Sequence, residues 1–139
     1  MALALSTFKF RLSTLSTDEA LLLCGLRHTS RKSKQLAAAK GKLQQVVDNV
    51  PRETQLHLES YLHDIDRLAF TLFYRMGYGQ HNRWNPNEYV YDQNGRCIEL
   101  FFAMREIATA LWLREEQLID DDTCNTLTLL WRIAFVGLE

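Results

Sequence analysis

Proline and glycine are scarce in this chain, with two and six among 139 residues. So few breakers leave long stretches able to become helical. Cysteine is scarce too, and Cys24, Cys97 and Cys124 show no CxxC or CxH spacing. That excludes a dense disulfide framework and a zinc-finger pattern, and predicts buried thiols in a reducing compartment. No apolar run approaches the ~20 residues of a membrane span. Met1 to Leu12 lacks the apolar centre of a secretory signal. A cytoplasmic protein without membrane contact is expected.

What is present suits one globular domain. Hydrophobic residues make up 47% and charged residues 24%, and the length is ample for a core. The net charge of −1 hides a partition. Residues 1–52 hold nine Lys/Arg against three Asp/Glu, and residues 53–139 hold seven against fourteen. No lysine occurs after Lys42. The chain is electrically two-ended, +6 then −7, which bears on partners.

Phe8-Lys9-Phe10-Arg11-Leu12 alternates apolar and cationic residues, predicting a short extended arm. Ser16-Thr17-Asp18-Glu19 is a capping box that opens a short helix ending near Gly25. Leu36, Ala39, Leu43, Val46, Val47 and Val50 recur at the spacing of an amphipathic helix. Gly41 weakens that helix by ~1 kcal/mol relative to alanine. After Pro51, Leu58, Leu62, Ile65, Ala69, Leu72, Phe73 and Met76 form the apolar stripe of a long helix without a breaker before Gly77.

Residues 77–95 read as a long aromatic loop with Tyr78, Trp84, Tyr89, Tyr91 and a closing Asn94-Gly95. A helix carrying Ile98, Phe101, Phe102, Ile107, Ala108, Leu111 and Trp112 is preferred over a hairpin at that point. Asp120-Asp121-Asp122 caps a last helix with Leu127, Leu130, Trp131, Ala134 and Phe135. The fold class is all-α: a single-domain bundle of about five helices over 1–139, burying its tryptophans and phenylalanines.

The strongest functional cue is a cluster of cations, Arg27, Arg31, Lys32, Lys34, Lys40 and Lys42. Nucleic-acid backbones reward such a cluster, because each neutralised phosphate releases counterions. Thr29, Ser30 and Ser33 add hydroxyls that hold phosphate oxygens, and Trp84 and Tyr91 are candidate stacking or partner-contact residues. The plainer readings are a solvated face, or a patch that docks on the chain's own acidic half. Replacing Arg31, Lys32 and Lys34 together by alanine is expected to abolish nucleic-acid binding without unfolding the chain. The run from Thr17 to Arg31 also fits a helix-turn-helix, a short pattern common by chance.

Catalysis is the weaker class. Arg75 and His81 have the Arg-x4–6-His spacing of HEPN-type ribonucleases, but Gly77 and Gly79 separate them. His57, Glu59, His63 and Asp66 crowd one helix without a second cluster, so no metal site is expected. Asp64 and Asp66, two apart on a helix, do not face each other. There is no glycine-rich phosphate loop and no GxSxG, and no cofactor is expected.

Tyr61 to Gly77 resembles the central helix of the small all-helical subunit of type III CRISPR effector complexes, and Ala134-Phe135 resembles its closing pair. Chain length fits as well, although Tyr78 stands where that family often has arginine. The resemblance implies a non-catalytic building block whose copies stack in a filament, with a basic surface along the guide–target duplex. The two-ended charge suits head-to-tail stacking. The sequence therefore predicts a non-enzymatic interaction subunit that contacts nucleic-acid backbone and associates with protein or with itself. The alternatives are an accessory or inhibitor module acting through the 77–95 loop, and a small ribonuclease using Arg75 and His81.

Overall fold

The computed structural model describes residues 3–20, 34–75 and 96–135, the side chains of 96–100 and 130–135 excepted. Its helices are α1 (Leu5–Thr14), α2 (Lys34–Asn49), α3 (Arg52–Arg75), α4 (Arg96–Glu115) and α5 (Asp121–Phe135). A helical turn at 17–20 follows α1, and there is no strand among the described residues. The fold is all-α, as the sparse breakers imply.

The N-terminal segment departs from the extended arm that its alternation predicts. It is helical because Phe8, Leu12 and Leu15 follow at four- and three-residue spacing and are fully buried, while Phe10 is 65% exposed. No side chain of its own caps the N-terminus of α1. The last turn of α4 supplies the missing partners. Glu115 Oε1 accepts from the Leu5 amide at 3.3 Å, and Arg114 donates to the Leu3 carbonyl at 2.5 Å. At the other end the Arg75 guanidinium donates to the Leu15 carbonyl at 3.1 Å. Long-range contacts thus fix a helix that local signals left open.

The capping box forms as read. The Ser16 amide donates to Glu19 Oε1 at 2.9 Å, and Ser16 Oγ accepts from the Glu19 amide at 3.1 Å. Arg11 ties this turn back to α1 through a 2.8 Å bond to Glu19.

The six predicted stripe residues of α3 from Leu58 to Phe73 are all buried; Met76 lies outside the described residues. On its flanks the two aspartates diverge. Asp64 faces Lys9 of α1 at 3.8 Å, and Asp66 takes both its bonds from Arg105 of α4 at 2.5 Å. Two residues advance ~200° around a helix, so acids only two apart in sequence lie on opposite flanks and serve different neighbours.

Helix α4 packs against α1, α3 and α5. Phe101, Ala103, Met104, Ile107, Ala110 and Leu113 are buried in nearly every direction around its axis, as expected of a central helix. One strip remains, with Phe102, Arg105 and Thr109 at three- and four-residue spacing. Phe102, predicted in the apolar stripe, is 62% exposed there, because its neighbour Phe101 takes the inward position. Phe101 stacks on Phe70 at 5.4 Å and lies beneath the Arg105 guanidinium. The expectation that every phenylalanine is buried therefore fails at Phe10 and Phe102.

Between α4 and α5 the backbone makes a Schellman turn. The Leu118 amide donates to the Leu113 carbonyl at 2.8 Å and the Gln117 amide to Arg114 at 2.9 Å. Gln117 holds the left-handed position, φ 60°, usually given to glycine. Asp120 then caps α5, its Oδ1 accepting from the Thr123 amide at 2.7 Å.

Candidate nucleic-acid interface

Of the six predicted phosphate-facing cations, Lys34, Lys40 and Lys42 lie on α2; Arg27, Arg31 and Lys32 fall outside the described residues. So do Trp84, Tyr91, His81, the 77–95 loop and the second half of the helix-turn-helix reading.

Helix α2 buries Ala39 and Leu43, with Leu36, Val46 and Val47 packed beside them. This inward stripe decides where the lysines point. At ~100° per residue, Lys40 and Lys42 sit on opposite flanks of the stripe, about 160° apart. Lys34 lies almost opposite the stripe, about 80° from Lys42. The three do not share one face.

Each flanking lysine reaches a different acid. Lys40 Nζ is 3.8 Å from Glu106 Oε2 on α4, and Lys42 Nζ is 3.5 Å from Asp120 Oδ2 before α5. The chain's acidic half thus folds against part of its basic half. Hydrogen bonds from the Thr123 side chain and amide, and then the Lys42 charge, hold the Asp120 carboxyl below its ordinary range.

Lys34 and Lys42 share the solvent face with Ala38, Gly41 and Gln45, all exposed. The two lysines are ~12 Å apart along the axis at ~1.5 Å per residue. A Cβ at Gly41 would have nothing within 4 Å among the described residues, so their packing does not require glycine there. No acid occurs in α2 before Asp48. Gln45, Gly41 as part of this surface, and the counter-charges Glu106 and Asp120 were not visible as site residues in the sequence. Nothing local marks an acid 66 residues away as the partner of Lys40.

Beside this face lies a cleft of about 510 Å³ between the C-terminal half of α2 and the α4–α5 turn. Val46, Val50, Leu118 and Ile119 line it, with Lys42 and Asp120 among its polar groups.

Among the described residues no three His, Cys, Asp or Glu side chains are placed to hold a metal. His57, Glu59 and His63 are exposed, and Asp66 belongs to Arg105. Arg75, the arginine of the ribonuclease reading, is bonded to the Leu15 carbonyl. Cys124 is buried at the core. No described helix is long and apolar enough to cross a membrane.

No family model, curated protein or solved structure matches the chain. The functional reading rests on the residues themselves.

Proposed function

We propose that this chain is a non-enzymatic helical subunit that contacts nucleic-acid backbone through the outer face of α2. The observation that supports this most is the make-up of that face. Lys34 and Lys42 flank small Ala38 and Gly41, with the amide of Gln45 beside them and no acid between the lysines. Lysines supply charge to phosphates, an amide supplies hydrogen bonds, and the absence of a side chain at Gly41 lets a backbone approach closely. Binding of this kind is largely electrostatic and independent of sequence.

The test is fluorescence anisotropy of labelled single-stranded RNA, and of an RNA duplex, at ~50 and ~200 mM salt. With about six cations engaged, affinity falls roughly 10³-fold across that range. Lys34→Ala with Lys42→Ala lowers the salt slope by about two. A double variant that binds like the parent removes α2 from the interface. Preference for the duplex supports the stacked, RNA-guided assembly that the family resemblance implies.

A second reading, a protein-docking module, draws on Phe102 and Tyr74, which are 62% and 56% exposed. They stand close in sequence to either end of the 77–95 segment. Exposed aromatics of this size are common anchors for protein partners. Absence of RNA binding at low salt, with a partner lost on Phe102→Ser, selects it.

A further inference from the structure

The two ion pairs of α2 differ in kind from the pair that joins α3 and α4. Asp66 and Arg105 meet at 2.5 Å through two bonds, with side chains 17% and 35% exposed. Such a pair is part of the packing. Lys40–Glu106 and Lys42–Asp120 are long, at 3.8 and 3.5 Å, and the lysines are 36% and 64% exposed. Pairs this loose and this wet contribute little to stability, and a phosphate oxygen can take the place of either carboxylate. Lys40 is held on the flank away from Lys34, and Lys42, at the edge of the face it shares with Lys34, leans toward Asp120. Each has a flexible four-carbon stem able to swing back.

We propose that Glu106 and Asp120 are internal competitors of phosphate: they hold Lys40 and Lys42 in the unbound chain and give them up when nucleic acid docks. This rests on the nucleic-acid reading of α2 and adds its regulation. The acids weaken binding and make it discriminating, because a ligand must present enough charge to displace both carboxylates. Isolated phosphates and short oligomers are screened out, while a long backbone engages Lys34 and then recruits the other two.

The two acids can be neutralised without disturbing the fold. Glu106→Gln keeps the side-chain shape, and Asp120→Asn keeps a good N-cap. The control removes the same charge from acids that hold no lysine among the described residues: Asp48, which accepts from Gln44 at 2.8 Å, and Asp121, next to Asp120. Anisotropy is measured with single-stranded RNA of ~20 nucleotides at ~50 to ~200 mM salt. The Glu106→Gln/Asp120→Asn protein is expected to bind about five- to tenfold more tightly at the low salt, with nearly the same slope, because the same phosphates are neutralised in both complexes. The Asp48→Asn/Asp121→Asn protein is expected to change less than twofold. Equal gains in both would assign the effect to net charge and overturn the proposal. No gain in either, with the parent still binding, overturns it while leaving α2 as the interface. If neither parent nor variants bind, the nucleic-acid reading fails and takes the competitor role with it.

Discussion

At the scale of single residues, departures from local preference mark where long-range structure decides. Gln117 is the clearest case. It sits at φ 60° to close the Schellman turn that sets Leu118 at the cleft. A side chain in the left-handed region costs about 1 kcal/mol, so Gln117→Gly should raise stability by a fraction of that, since glycine also loses more freedom on folding. Chemical denaturation checks it, and a loss of stability would mean the Gln117 side chain makes a contact that outweighs the strain. Glu19 makes a second, pH-dependent case. Its bonds with the Ser16 amide and hydroxyl, and the Arg11 guanidinium, hold its carboxyl below the ordinary range. A depressed carboxyl contributes stability that is present above its unfolded value and lost as pH falls through the folded one. Melting temperature should therefore drop on acidification below the ordinary carboxylate range, and Glu19→Gln should lower the neutral-pH value while flattening that acid limb. Identical acid limbs in parent and variant would show that the capping box carries none of the dependence.

At the scale of helices, the period of burial was legible and its tertiary causes were not. The stripe of α3 was readable because one apolar face repeats at 3.6 residues over 24. Ile65, at 0% exposure, lies at its centre, whereas Leu56 is 52% exposed on the opposite side. Ile65→Ala should cost about 2–5 kcal/mol, and Leu56→Ser less than about 0.5 kcal/mol; comparable losses in urea denaturation would contradict the packing described. Helix α1 was misread because its alternation mimics a strand over only five residues, and its capping groups come from Arg114 and Glu115, a hundred residues on. Phe102 was misplaced for a related reason. A helix buried on nearly all sides has no clean stripe, so sequence alone does not tell which of two neighbouring phenylalanines turns outward.

At the scale of the molecule, the charge partition is visible in the sequence and its spatial consequence is not. A run of cations invites the picture of one basic face, yet the helical advance from Lys40 to Lys42 sends them to opposite flanks, each toward an acid of the second half. Among the described residues, the outward part of that run is Lys34 and Lys42, beside the bare backbone at Gly41. This separates fold from binding at one position. Glycine inside an exposed helix costs ~1 kcal/mol relative to alanine, and the space at Gly41 is open, so Gly41→Ala should raise the melting temperature by a few degrees. If the site is bare only because α2 tolerates it, a large side chain there is harmless as well. If a phosphate backbone comes close, alanine keeps most of the RNA affinity and Gly41→Trp loses about tenfold or more without a fall in melting temperature. Anisotropy and thermal melts on the same two variants decide between these. A tryptophan variant that binds like the parent moves the interface away from Gly41, whatever the lysines do.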